Sequence, residues 1–324
     1  MGSEVTKTGS MFRQFYHPED GTVTQTELLD KLNRDLKKAA ESVSLDEVQF
    51  YVQAYYRVQE MRIACNNQTL DAAKRGVPYD LVQFIRDQMR RLEQQIEYVL
   101  RKFAEYNPTA SLSLNVYGIG PVIASCLVAE IPIDRTPYTS HLLSFAGLRN
   151  PKKWEKGQKR PWNAKLKLTC WKIGDSFVKL SNRPDCKYGQ LYRQRKEVLV
   201  AKNAVGDYAR LAERSLQDRN IIDAELRKCY QSGRMPDGRI DAWARRHVVE
   251  LFLSHWFEAA TWCAYNRMPK RPWQFAYTDH DPRSYVSPQD MGWSDFGDEE
   301  VRKAWREGRG LEGDLVHLPT PHQQ

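Results

Sequence analysis

Two stretches carry residues whose types and spacing could do chemistry. The first is Gly118-Ile119-Gly120-Pro121, set between two short apolar runs. Glycines at 118 and 120 permit the backbone angles of a very tight turn and leave its amides uncovered. Pro121 falls where a second helix would begin, a position that suits its fixed φ and missing N–H. Uncovered amides at the positive end of a helix make a site for a phosphate. Ala124 and Ala129 are small enough to let two helices pack closely. A helix-hairpin-helix of this form would grip a phosphate backbone without reading bases.

The second stretch is basic. Arg149, Lys152, Lys153, Lys156, Lys159, Arg160 and Lys165 surround Trp154 and Trp162, with little apolar periodicity. This composition reads as a loop facing a polyanion, the cations neutralising phosphates. Each tryptophan either packs on sugar and bases or anchors the loop to the body. Lys167 and Lys172 on the following helix extend the surface in part, since their spacing does not put all three lysines on one face. Sixteen Lys and Arg against four acids lie between Arg149 and Lys202, so this window carries +12 in a chain of +8. Such asymmetry points to a polyanion partner for one part of the chain.

Other constellations are weaker. His247-x-x-Glu250 and His255-x-x-Glu258 repeat on one helix, but one helix cannot close a metal shell, and helix-surface polar pairs are the simpler reading. Asp279, His280 and Asp281 precede Pro282 and read as a turn. Cysteines 65, 126, 170, 186, 229 and 263 are scattered, with no CxxC spacing, and read as free thiols. The sequence holds no nucleophile elbow, no phosphate loop with lysine and no HExxH, and no cofactor is expected.

These residues must be positioned by helices. A hydrophobic content of 41% and nine tryptophans imply a folded protein. No run approaches eighteen apolar residues, and the N-terminus lacks a signal pattern, so the expected address is cytoplasmic. Residues 1–44 form an N-terminal arm with one helix, about 24–41. Ser44 with Glu47 has capping-box spacing and opens a helix that fades near Asn66-Asn67. Gly76-Val77-Pro78 breaks the chain, and a helix over 79–106 carries Ile85, Met89, Leu92, Ile96, Val99 and Phe103 as a coiled-coil seam. Residues 45–107 therefore read as a helical hairpin or coiled coil. Its seam packs within the chain or pairs two copies through residues 81–103.

From 108 to 267 the pattern is helical throughout. A short helix, a tight turn and a helix span 110–131; further helices are expected at 139–146, 163–180, 187–202, 207–231 and 239–266. Residues 269–287 read as an extended strap, and most of 288–324 as poorly ordered. The expected fold is all-α.

Three motifs together resemble a known family. Gly118-Ile-Gly-Pro, then Ser144-Phe-Ala-Gly147-Leu148, then a basic loop and Asn163-Ala-Lys-Leu-Lys167 look like the C-terminal domain of DEDD-type insertion-sequence transposases, relatives of the Piv invertase. The resemblance covers about 110–180, and 188–273 resembles stand-alone versions of that domain. It implies a role in DNA recombination or transposition. The family's N-terminal RNase H-like domain has no counterpart in the roughly 107 residues before the hairpin. Its catalytic serine has none either: Glu155-Lys156-Gly157 stands at that place, and no serine lies between Ser144 and Ser176. The expectation is a protein that holds double-stranded DNA through phosphates without a catalytic centre of its own. Completion of the chemistry by a partner chain and a protein-scaffolding role are the alternatives. RNA offers the same phosphates, and only 2′-hydroxyl or base contacts would separate it from DNA.

Overall fold

The structure is a computed structural model describing residues 32, 34–77, 79–149, 154–218, 220–271, 281 and 284–307. Every regular element among them is a helix. The chain divides into two compact units, residues 1–107 and 108–324.

The first unit is an antiparallel hairpin of α2 (Leu45–Arg75) and α3 (Asp80–Tyr106), preceded by α1 (Arg34–Ala39) and a 3-10 turn over Ala40–Ser42. Ser44 opens α2 with a complete capping box. Its hydroxyl accepts from the Glu47 amide, and its own amide donates to the Glu47 carboxylate. Gly76, at φ +69°, ends α2 in the left-handed conformation. The expected fade at Asn66-Asn67 does not occur. The helix runs on for nearly three turns because the hairpin partner supports it, with Ala72 buried, and tertiary packing outweighs local propensity.

Ile96, Val99 and Phe103 of the seam are buried, together with Leu100 and Ala104, whereas Ile85 near the connection is 42% exposed. The hairpin interior also holds a charge. Glu93 accepts from Gln59 at 3.0 Å and forms an ion pair with Arg62. Burial opposes ionisation of Glu93, but the bonds from Arg62 and Gln59 outweigh it and hold the carboxyl below its usual range.

The second unit is built around α11 (Asp237–Tyr265). Around it lie α4 (Pro108–Leu114), α5 (Pro121–Glu130), α6 (Thr139–Phe145), α7 (Ala164–Lys179) and α8 (Lys187–Ala204). Its core centres on Phe177, Tyr188 and Phe252. Phe177 stacks on Tyr188 at 4.8 Å, and Phe252 meets both rings edge-on. The helix expected over 207–231 is two, α9 (Ala209–Asp218) and α10 (Ala224–Gln231). Asp223 starts the second by accepting from the Leu226 amide, and Arg227 donates back to the Ile221 carbonyl, which fixes the break.

The C-terminal stretch corrects the sequence reading. Most of 272–283 lies outside the described residues, as does 308–324. Residues 284–307, however, pack on the body and end in α12 (Glu299–Arg306), with Trp293 and Phe296 buried. A hydrogen-bonded chain ties this segment down. The Trp293 indole donates to Tyr188 Oη at 2.8 Å, and Tyr188 donates to His255 Nδ1 at 2.6 Å. His255 Nε2 meets the Val286 carbonyl at 2.9 Å, and a carbonyl only accepts, so Nε2 carries the proton. Burial lowers the His255 pKa to about 4, which keeps the ring neutral and this single arrangement intact at pH 7. One turn on, buried Glu258 accepts from the Tyr285 hydroxyl. Burial raises its pKa to about 8, against the pull of Tyr285 and Arg306. The two His-x-x-Glu pairs thus have unlike fates, since His255 and Glu258 lie inside and His247 and Glu250 at the surface side of α11. Among the described residues no group of three His, Cys, Asp or Glu could hold a metal.

Candidate nucleic-acid interface

The Gly118 turn joins α4 to α5 as the glycine spacing requires. Gly118 takes φ +101°, and the Ile119 amide bonds to the Val116 carbonyl at 3.0 Å. The turn is held from below: Ser176 Oγ donates to the Gly118 carbonyl at 2.6 Å, and Cys186 Sγ reaches the Tyr117 carbonyl. A Cβ at Gly118 would lie 3.2 Å from Leu180 and 3.3 Å from Ser176, so the glycine serves packing as much as turning. Ile119 is buried. Gly120 differs: its φ of −94° suits any residue, and nothing lies within 4 Å of the place a Cβ would take. It caps α5 with Pro121 behind it, and no acid stands in the first turn. The exposed residues of the turn are Asn115, Tyr117 and Gly120, with Pro121 half-buried and Val122 buried behind them.

The basic loop is seated on the Ala146-Gly147-Leu148 turn. Gly147, at φ +70°, lies under Trp162; a Cβ there would come 2.8 Å from the indole. The Asn163 amide returns to the Phe145 carbonyl at 2.8 Å. Its side chain then caps α7 by accepting from the Lys165 and Leu166 amides, and donates to Glu130 at 2.9 Å. Trp154 meets Trp162 edge-on at 6.2 Å and donates to the Gln158 carbonyl, so both indoles anchor the loop. Two cations cover these rings: Arg160 lies over Trp154 and Lys167 over Trp162, at 5.5 and 4.1 Å.

The cations differ in their partners. Arg149 forms a two-nitrogen bond to Glu250, and Lys165 lies 3.8 Å from Glu130. Lys172 is half-buried, and Lys152 and Lys153 lie outside the described residues. Lys156, Lys159, Arg160 and Lys167 are exposed, and no carboxylate among the described residues pairs with them. Partial burial, then the neighbouring Arg246 and Arg160, hold the Lys167 ammonium below its usual pKa. Arg160 of the loop and Arg246 of α11 therefore both bear on Lys167 of α7. A second cationic group adjoins α11: burial, then Arg195 and Arg149, lower the His247 pKa, opposed by Glu250.

The hairpin and the basic loop are not brought together. Gly118 touches Ser176, while Glu130 at the far end of α5 touches Lys165, so α5 runs antiparallel to α7. Eleven residues separate those two contacts along α7, about 16 Å at the rise of a helix.

Sequence reading missed Arg246 and Arg195. The Arg245-Arg246-His247 run was visible, but no local spacing ties it to a loop some eighty residues upstream. It also missed Trp171, which is 55% exposed on α7 beside Leu168 at 50%. No described helix is long and apolar enough to cross a membrane. Compared with family models, curated proteins and solved structures, the chain matches none.

Proposed function

We propose that this protein binds double-stranded DNA through its phosphates and serves recombination or transposition as a holding rather than a cutting component. One observation carries the reading: Arg160 of the loop and Arg246 of α11 both bear on Lys167 of α7, and none of the three is ion-paired to a carboxylate among the described residues. Like charges gathered without a counter-charge raise the free energy of the protein alone and are relieved by a bound polyanion. The exposed N-cap Gly120 of α5, with no acid in the turn that follows, supports it as a second phosphate contact. The resemblance of the Gly118, Gly147 and Asn163 motifs to transposase C-terminal domains supports the recombination context. With no serine beside Gly157, the chain does not carry that family's nucleophile.

The test is duplex binding measured against salt concentration. Each phosphate contact contributes about 0.9 to the slope of log affinity against log salt. The variant combining R160Q, K167Q and R246Q is expected to lower that slope by about 2 to 3. No binding by the native chain at low salt, or a slope unchanged in the variant, would overturn the proposal. With Mg²⁺ and labelled duplex, the native chain alone is expected to bind without cleaving.

A further inference from the structure

The solvent face of α7 presents an apolar surface beside the cation cluster. Leu168 and Trp171 follow Lys167 by one and four residues, and both are about half exposed. The Trp171 ring stacks on no other ring among the described residues, unlike Trp154 and Trp162 in the same region. A large aromatic side chain left this open is the informative kind of exposure. Its surroundings narrow what would cover it. Lys167 lies one helical turn back, and Gly174, three residues on, lies under Arg245 of α11. Arg246 follows Arg245 and crowds Lys167. An apolar protein segment would leave Lys167 and Arg246, neither of which is ion-paired among the described residues, without counter-charges. A strand of nucleic acid supplies both parts of the match, a phosphate for the cations and an adjoining base with a π-face for the indole. Bases in an intact duplex are stacked inside it and show only their edges.

We infer that Trp171 is a stacking platform for an unpaired base, so that the DNA taken by this face contains a single-stranded stretch. The inference rests on the DNA-binding reading above and specifies its substrate. Arg160, Lys167 and Arg246 hold the backbone, and Trp171 holds a base of the same strand.

The experiment is fluorescence anisotropy with a labelled oligodeoxythymidylate, a labelled duplex of equal length, and heparin as a polyanion without bases. W171A is expected to weaken oligodeoxythymidylate binding about tenfold, the effect of losing one base–aromatic stack. Duplex and heparin binding are expected to change less than twofold, and W171F to restore most of the loss. Because Trp171 is exposed, thermal unfolding of W171A is expected to match the native chain, which separates a lost contact from a lost fold. Equal losses for all three ligands, or no loss for the single strand, would overturn the stacking role while leaving phosphate binding in place. Failure of the native chain to bind any of the three would overturn both readings. An oligouridylate bound far more tightly than its DNA counterpart would overturn DNA as the occupant.

Discussion

At the C-terminal end of α7, Ser176, Phe177 and Leu180 close around Gly118, and Phe177 continues into the chain of Trp293, Tyr188 and His255. At the N-terminal end, Trp162 and Lys167 rest on Gly147, and Lys156, Lys159, Arg160 and Lys167 face water without a carboxylate partner among the described residues. The first end gathers polar groups and satisfies them; the second gathers like charges and does not. One helix thus joins a region organised by internal partners to one whose partners lie outside the chain. The turn that looked most like a ligand site in sequence belongs mainly to the first kind.

That contrast can be broken by substitution. The largest effect is expected from G118V, which adds a branched side chain at φ +101° against Leu180 and Ser176. Strain and overpacking together should cost about 4 kcal/mol, read by urea unfolding. A cost below about 1 kcal/mol would mean the closed end is loosely packed.

Next comes the pH dependence of the same end. Glu258 has its pKa raised from 4.5 to about 8, so the folded chain holds a proton that the unfolded chain releases. Its contribution to stability is full below pH 4.5 and is lost as pH rises through 8. E258Q should remove a fall on the order of 3 kcal/mol between pH 5 and 8, seen as a flatter stability profile. His255, lowered to about 4, acts in the opposite sense and costs stability as pH falls below 6.5.

The open end should respond weakly and with the other sign. R246Q relieves Lys167 and should leave stability within about 0.5 kcal/mol or raise it at low salt, the gain fading as salt screens the cluster. A clear loss of stability would show that Arg246 has a structural partner. G120V should also change stability little, by under about 1 kcal/mol, because φ −94° and open space accept a side chain. If the first turn of α5 holds a phosphate, duplex affinity should nevertheless drop, and unchanged affinity would confine DNA to the cation end.

Much of the scaffold was legible because its signals are local. Ser44 with Glu47, Gly76, Asn107-Pro108 and Pro121 mark helix ends by chemistry that acts within a turn or two. The hairpin was legible from seam spacing, although the buried face also takes in Gln88 and Glu93, polar residues that no periodicity assigns to an interior. The site was legible only in part. Arg160 and Lys167 stand in a run dense with cations, but Arg246 joins them through the packing of α11 on α7, which depends on sequence separated by about eighty residues. The distance between the Gly118 turn and the basic loop was hidden for the same reason. They adjoin in sequence, yet α5 and α7 run antiparallel and carry them to opposite ends. The packing of Trp293 and Phe296 was hidden because isolated aromatics among glycine and aspartate show no period.

Glu93 has a further consequence for how the N-terminal unit tolerates change. Its donors, Gln59 and Arg62, stand three residues apart on α2 and reach one carboxylate on α3. Sliding one arm by a turn would carry both donors about 5.4 Å away and leave a buried charge bare. The arms are thus held to a common measure. An insertion or deletion in one must be matched in the other, and unmatched changes of length are confined to the short connection between Gly76 and Tyr79.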